Sequence, residues 1–138
     1  MKHPVLLITL AILPFTHVLQ ADDETPLDGQ MKILARGTRQ LSQQLADPAK
    51  QQENIALLES LKKAATDAQA LDPLKTKTIP EAGRVAFLAD YRAELEKLKA
   101  AFDQVEQAVK AGDYPKAQSM AALINPIKKE GHSKFKQD

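Results

Sequence analysis

Residues 85–109 read VAFLADYRAELEKLKAAFDQVEQAV. Val85, Leu88, Tyr91, Leu95, Leu98, Phe102, Val105 and Val109 follow one another at spacings of three or four over three heptads. That spacing puts them on one stripe of an α-helix, the pattern of a bundle core. The helix is expected from about Glu81 to Ala111, where Ala111-Gly112-Asp113 supplies a glycine stop. One such stripe has to be buried against others, so the flanking sequence must provide partner helices.

Downstream, Asp113-Tyr114-Pro115 combines a capping residue with an early proline and opens another helix. Ala117, Ala121, Ile124 and Ile127 fall on or near its inner face. Asn125-Pro126 interrupts it, because an internal proline removes a backbone hydrogen bond and kinks the chain. Upstream, Asp72 to Pro80 holds two prolines and two threonines and is expected to be non-helical. Before it, Asp47-Pro48 opens a helix with the stripe Ile55, Leu58, Leu61, Ala65 and Ala68, with Lys62, Lys63 and Asp67 toward water. The first helix begins at Thr25-Pro26 and carries Leu27, Met31, Leu34, Thr38, Leu41 and Leu45. Gly29 and Gly37 each weaken it by about 1 kcal/mol relative to alanine; small residues there leave room for something bulky to approach. No segment alternates with period two. The fold class is all-α, an antiparallel up-down-up-down four-helix bundle occupying residues 22–138.

Residues 1–21 are expected to lie outside that domain. Lys2 and His3 precede the apolar run Val5–Leu13, Pro14 breaks it, and Gln20-Ala21 ends in a small residue before Asp22-Asp23-Glu24. This is the pattern of a secretory signal peptide, too short to span a bilayer. Its removal takes away one of 19 basic residues and none of 18 acidic ones, leaving a neutral chain. Such a chain lacks the electrostatic footprint of a nucleic-acid binder, and no later segment is apolar enough for stable membrane insertion. Cysteine is absent. That excludes disulfides, thiolate metal sites and a covalently attached Cys-x-x-Cys-His haem.

Beyond the expected signal peptide the chain has a single histidine, His132, near the end of the last helix. Ile124, Lys128 and Phe135 lie on or beside its face. Met31 lies on the inward stripe of the first helix. In an up-down-up-down bundle the start of the first helix and the end of the last share a pole. An imidazole nitrogen and a thioether sulfur about a hundred positions apart can therefore reach one metal atom, and His with Met is an iron ligand pair of electron-transfer haem proteins. Met120 is no rival, lying about 18 Å along the same helix from His132. Leu27, Leu34, Phe87, Leu88, Tyr91, Leu95, Ile124 and Phe135 are placed to line a haem pocket. Lys75, Lys77, Arg84 and Lys128 are expected near the same pole, within reach of haem propionates. No nucleophilic triad, phosphate loop or two-histidine zinc motif is present.

Three segments carry a family resemblance. They are Leu27-x-x-x-Met31-x-x-Leu34, Ala111-Gly112-Asp113-Tyr114-x-Lys116-Ala117-Gln118, and His132-x-x-Phe135-Lys136. With them the chain resembles the soluble cytochrome b562 family, whose members exemplify this bundle. The resemblance implies a non-covalent b-type haem bound by Met31 and His132 and lined by residues at Leu34, Tyr91, Leu95, Lys128 and Phe135. It departs from the family where an arginine before the histidine becomes Lys128 and an aromatic pair on the third helix becomes Tyr91 and Leu95. The function implied is one-electron transfer in the periplasm to an unidentified redox partner, without enzymatic activity. The alternative is a haem-free periplasmic helical protein, an interaction module or a stress-response chaperone, in which Met31 and His132 are core residues.

Overall fold

A computed structural model describes residues 24–136 of the chain. The signal-peptide expectation for residues 1–21 lies outside them. Five α-helices follow in order: α1 (Pro26–Gln44), α2 (Gln51–Gln69), α3 (Glu81–Lys110), α4 (Tyr114–Ala121) and α5 (Ile124–Phe135). The last two together form the fourth arm of an all-α four-helix bundle. The turns joining α1 to α2 and α3 to α4 are short, so those neighbours run antiparallel; α2 and α3 do so too, with Gln51 meeting Val109 at one end and Gln69 meeting Arg92 at the other.

Local sequence sets the ends of these helices. Thr25 caps α1 through its side chain, which accepts from the Asp28 amide, while the Asp28 carboxylate accepts from the Thr25 amide at 2.9 Å. This reciprocal pair satisfies two amides that the first turn leaves without partners. Asp47 does not open α2 directly. Its carboxylate accepts from the Ala49 amide and starts a 3-10 turn, Pro48–Lys50, from which α2 continues. The Asp72–Pro80 connection is also not free of helix, since Leu74–Thr78 forms a 3-10 helix. Its i→i+3 bonds tolerate the proline on either side, where a longer α-helix would not form. Gly112 ends α3 with φ of +71°, the left-handed conformation that glycine adopts without steric cost.

The fourth arm is a broken helix rather than a kinked one. The break falls at Ala122–Leu123, upstream of the Asn125-Pro126 pair. Pro126 has no amide to offer the Ala122 carbonyl, and its ring crowds that carbonyl. The Leu123 amide bonds Met120 three residues back instead of four. The helix resumes from Ile124.

The core runs through Leu34, Leu41, Leu45, Leu58, Leu61, Leu95, Leu98, Phe102, Val105, Val109, Ala117 and Ile124. Two expectations for the seam of α3 fail. Val85 is 81% exposed and Leu88 is only half-buried. At about 45 Å, α3 is much longer than α1 or α2, at about 28 Å, and its first turns outrun the partners that would cover them. Gly37 is buried where α1 meets α2, and the bulky neighbour is Leu61. Lys62, expected to face water, forms an ion pair with Glu106, which Lys110 also contacts. α1 rests on α2 and α5 rests on α3, with little packing of α1 directly on α5. That leaves one side of the bundle open at the pole where α1 begins and α5 ends.

Candidate functional site

A cavity of about 580 Å³ occupies this open side. Its volume is in the range of small-molecule and cofactor sites. Met31, Leu34, Tyr91, Leu95, Lys128, His132 and Phe135 all line it. Leu27 does so too, but Phe87, Leu88 and Ile124 do not. Ile124 is buried deeper in the core, and Phe87 packs behind the wall, edge-on to Phe135 with ring centroids 5.4 Å apart.

The walls differ in character. α3 supplies the floor, with Tyr91, Leu95 and Leu98 buried. The Tyr91 hydroxyl donates to the Ala68 carbonyl at 2.8 Å, fixing the ring's polar end on α2 and leaving its apolar body toward the cavity. Burial pushes that hydroxyl up to about 12. α1 supplies Met31, half-buried, and Leu34, fully buried. α5 supplies Lys128 and His132. Expected on the inward side of the last helix, His132 is exposed at the open edge of the cavity, because no helix closes that edge.

Charges arrange themselves along the gap between α1 and α5. Partial burial holds the His132 imidazole below its usual value, and the nearby positive charges of Lys128 and Lys136 act in the same direction. Both effects favour the neutral ring, the form whose lone pair can bind a metal. Lys128 is itself held low, first by burial and then by Arg39 on α1. At the mouth, Lys136 adds favourably to the charge of Asp28 across the gap.

The other expected cations lie elsewhere. Lys75, Lys77 and Arg84 do not line the cavity. The Lys75 ammonium donates to the Lys134 carbonyl at 2.9 Å, and the Arg84 guanidinium donates to the Ile79 carbonyl at 2.9 Å. Both side chains cap backbone rather than face the site. Lining residues that the sequence did not single out for the site include Leu74, Glu94, Leu98, Ile127 and Gly131. Among them Glu94 is the unexpected one, a buried acid whose helical spacing from Tyr91 and Leu98 was the available signal.

Among the described residues no group of three or more His, Cys, Asp or Glu could hold a metal ion. Besides three carboxylates, the cavity wall holds two softer metal-binding donors, the thioether of Met31 on α1 and the imidazole of His132 on α5, together with apolar side chains. A soft sulfur and a borderline nitrogen suit iron, and an apolar wall suits the face of a porphyrin. The donor set and the cavity volume both fit a haem.

A family model for cytochrome b562 matches residues 26–136, nearly all of the described chain. No curated protein sequence matches the chain. The chain belongs to the cytochrome b562 family, a family of haem-binding electron-transfer proteins.

Proposed function

We propose that this member of the cytochrome b562 family carries single electrons in the periplasm, holding one non-covalent b-type haem between Met31 and His132. The supporting observation is that one cavity has a thioether from α1 and an imidazole from α5 in its wall. Met31 and His132 would both hold the iron of such a group, which would leave no place on it for substrate and favour electron transfer over catalysis. When bound, the haem supplies a one-electron couple.

The chain's own side chains do the rest. Leu34, Leu95 and Phe135 exclude water from the bound face. Tyr91 keeps its ring fixed through the Ala68 carbonyl. Lys128 offers a partly buried cation to a propionate. The apolar run in residues 1–21 supports export, and the redox partner is a protein of the same compartment.

The test is a visible spectrum of the haem-reconstituted protein, reduced and oxidised. A sharp split band in the reduced form is expected. Met31→Ala should give a high-spin ferric spectrum, and His132→Ala should nearly abolish binding. Absence of a Soret band after haem is supplied would sink the proposal and favour the haem-free alternative.

A further inference from the structure

Three acids belong to the cavity wall, and two are accounted for. Glu24 pairs with Lys32 at 2.8 Å, and Asp28 is engaged in the α1 cap; both are exposed. Glu94 differs. It is 7% exposed, on α3 between Tyr91 and Leu95. Its stem packs on α5 at Gly131, where an added Cβ would lie 3.5 Å from the Glu94 Cγ. That is ordinary van der Waals spacing, so the Glu94 stem lies against the turn of α5 that carries His132. Oε2 faces two ammonium groups, Lys97 at 3.1 Å and Lys134 at 4.0 Å. Both lysines are at least half exposed, so water screens much of what they offer. Oε1 is buried and meets no donor among the described residues.

We propose that Glu94 is a redox-tuning residue: its buried carboxylate, set in the wall of the haem cavity, favours the ferric over the ferrous state. This rests on the haem reading above. A buried acceptor without a donor is costly, and a buried negative charge favours whichever state of its surroundings carries more positive charge. Uptake of one electron from a donor protein removes one positive charge from the site, so a fixed carboxylate in the wall opposes it. Burial of the cofactor and the weak thioether ligand pull toward the ferrous state. Glu94 works against them.

The experiment is a redox titration of the haem-reconstituted wild type, Glu94→Gln and Glu94→Asp, with visible spectra and urea unfolding of each haem-free chain alongside. Glu94→Gln removes the charge and keeps the shape. At a fixed applied potential it should lower the ferric-to-ferrous ratio about tenfold, a rise of 59 mV for a one-electron couple. Glu94→Asp keeps the charge and should stay near the wild type. An unmoved potential in Glu94→Gln, with the wild-type spectrum intact, overturns this inference alone. Equal shifts in Gln and Asp also overturn it, because packing and not charge would then be the cause. A wild type that takes up no haem overturns the haem reading and this inference with it.

Discussion

Tyr91 and Phe135 meet edge to face, their ring centroids 5.5 Å apart and their planes at 72°. One ring comes from the third turn of the long helix and the other from the last turn of α5. Their contact fastens the free end of α5 to α3 at a corner of the cavity. Such a pair contributes about 0.5–1.5 kcal/mol beyond the area it buries.

Phe135→Ala should therefore loosen both the fold and the site. A large buried ring truncated to a methyl costs about 3 kcal/mol, the low end of the usual range because the position is a helix end. Urea unfolding of the haem-free protein measures this loss. Haem transfer to an acceptor globin should also become faster, since Phe135 holds the segment that carries His132.

Tyr91→Phe leaves the ring and removes its 2.8 Å bond to the Ala68 carbonyl. The expected loss is about 1 kcal/mol. The wild type also carries an alkaline signature. The folded state keeps the Tyr91 phenol proton up to about 12, whereas the ordinary value is 10.0. Native chains bind more protons than unfolded ones between those values, so stability falls as pH rises through that window. An ultraviolet titration should show a phenol ionising at about 12, and that component should vanish in Tyr91→Phe.

The capping box makes the start of α1 acid-sensitive. The Thr25 hydroxyl, and then its amide, hold the Asp28 carboxyl below its ordinary 3.8. This contribution is fully present above 3.8 and is lost as pH falls through the lowered value. Asp28→Asn should be less stable than wild type at neutral pH, and the gap should close in acid. Thr25→Ala should cost about 1 kcal/mol at neutral pH. Urea midpoints across pH test both.

Two glycines of α1 should respond to alanine with opposite signs. At Gly29 an added Cβ meets nothing within 4 Å, so the helix gains about 0.5–1 kcal/mol. At Gly37 it would lie 2.6 Å from Leu61 Cδ2 and 3.2 Å from Leu61 Cγ. Leu61 is fully buried and cannot retreat without disturbing the core. Overpacking costs about 1–3 kcal/mol, so Gly37→Ala should lower the thermal midpoint while Gly29→Ala raises it.

The spacing of apolar residues made the helices legible, because a stripe at three and four reports its own buried face whatever lies opposite. That Met31 and His132 line one cavity was legible for a different reason, since helix order alone brings the start of α1 and the end of α5 to one pole. What the sequence hid depends on neighbours from other helices. Glu106 is buried against Lys62, Asn54 against Gln44, and Glu94 against Gly131. None of these pairings follows from local spacing. Val85 misled for the complementary reason: its stripe is intact, but the partner helices end before it. Pro126 announced a disturbance whose site, four residues upstream, follows from which carbonyl loses its donor.

The gap at Ala122–Leu123 cuts α5 into a piece of 12 residues. A helix this short is marginal in isolation and borrows its order from what it lies on. This last arm should therefore act as a clasp, opening more readily than α2 parts from α1 or α3. Amide exchange should be fastest in this tail and slow sharply once it is pinned from within. On the proposed haem reading, the rate of haem loss should follow how often this one short arm lets go, and not the unfolding stability of the other three helices.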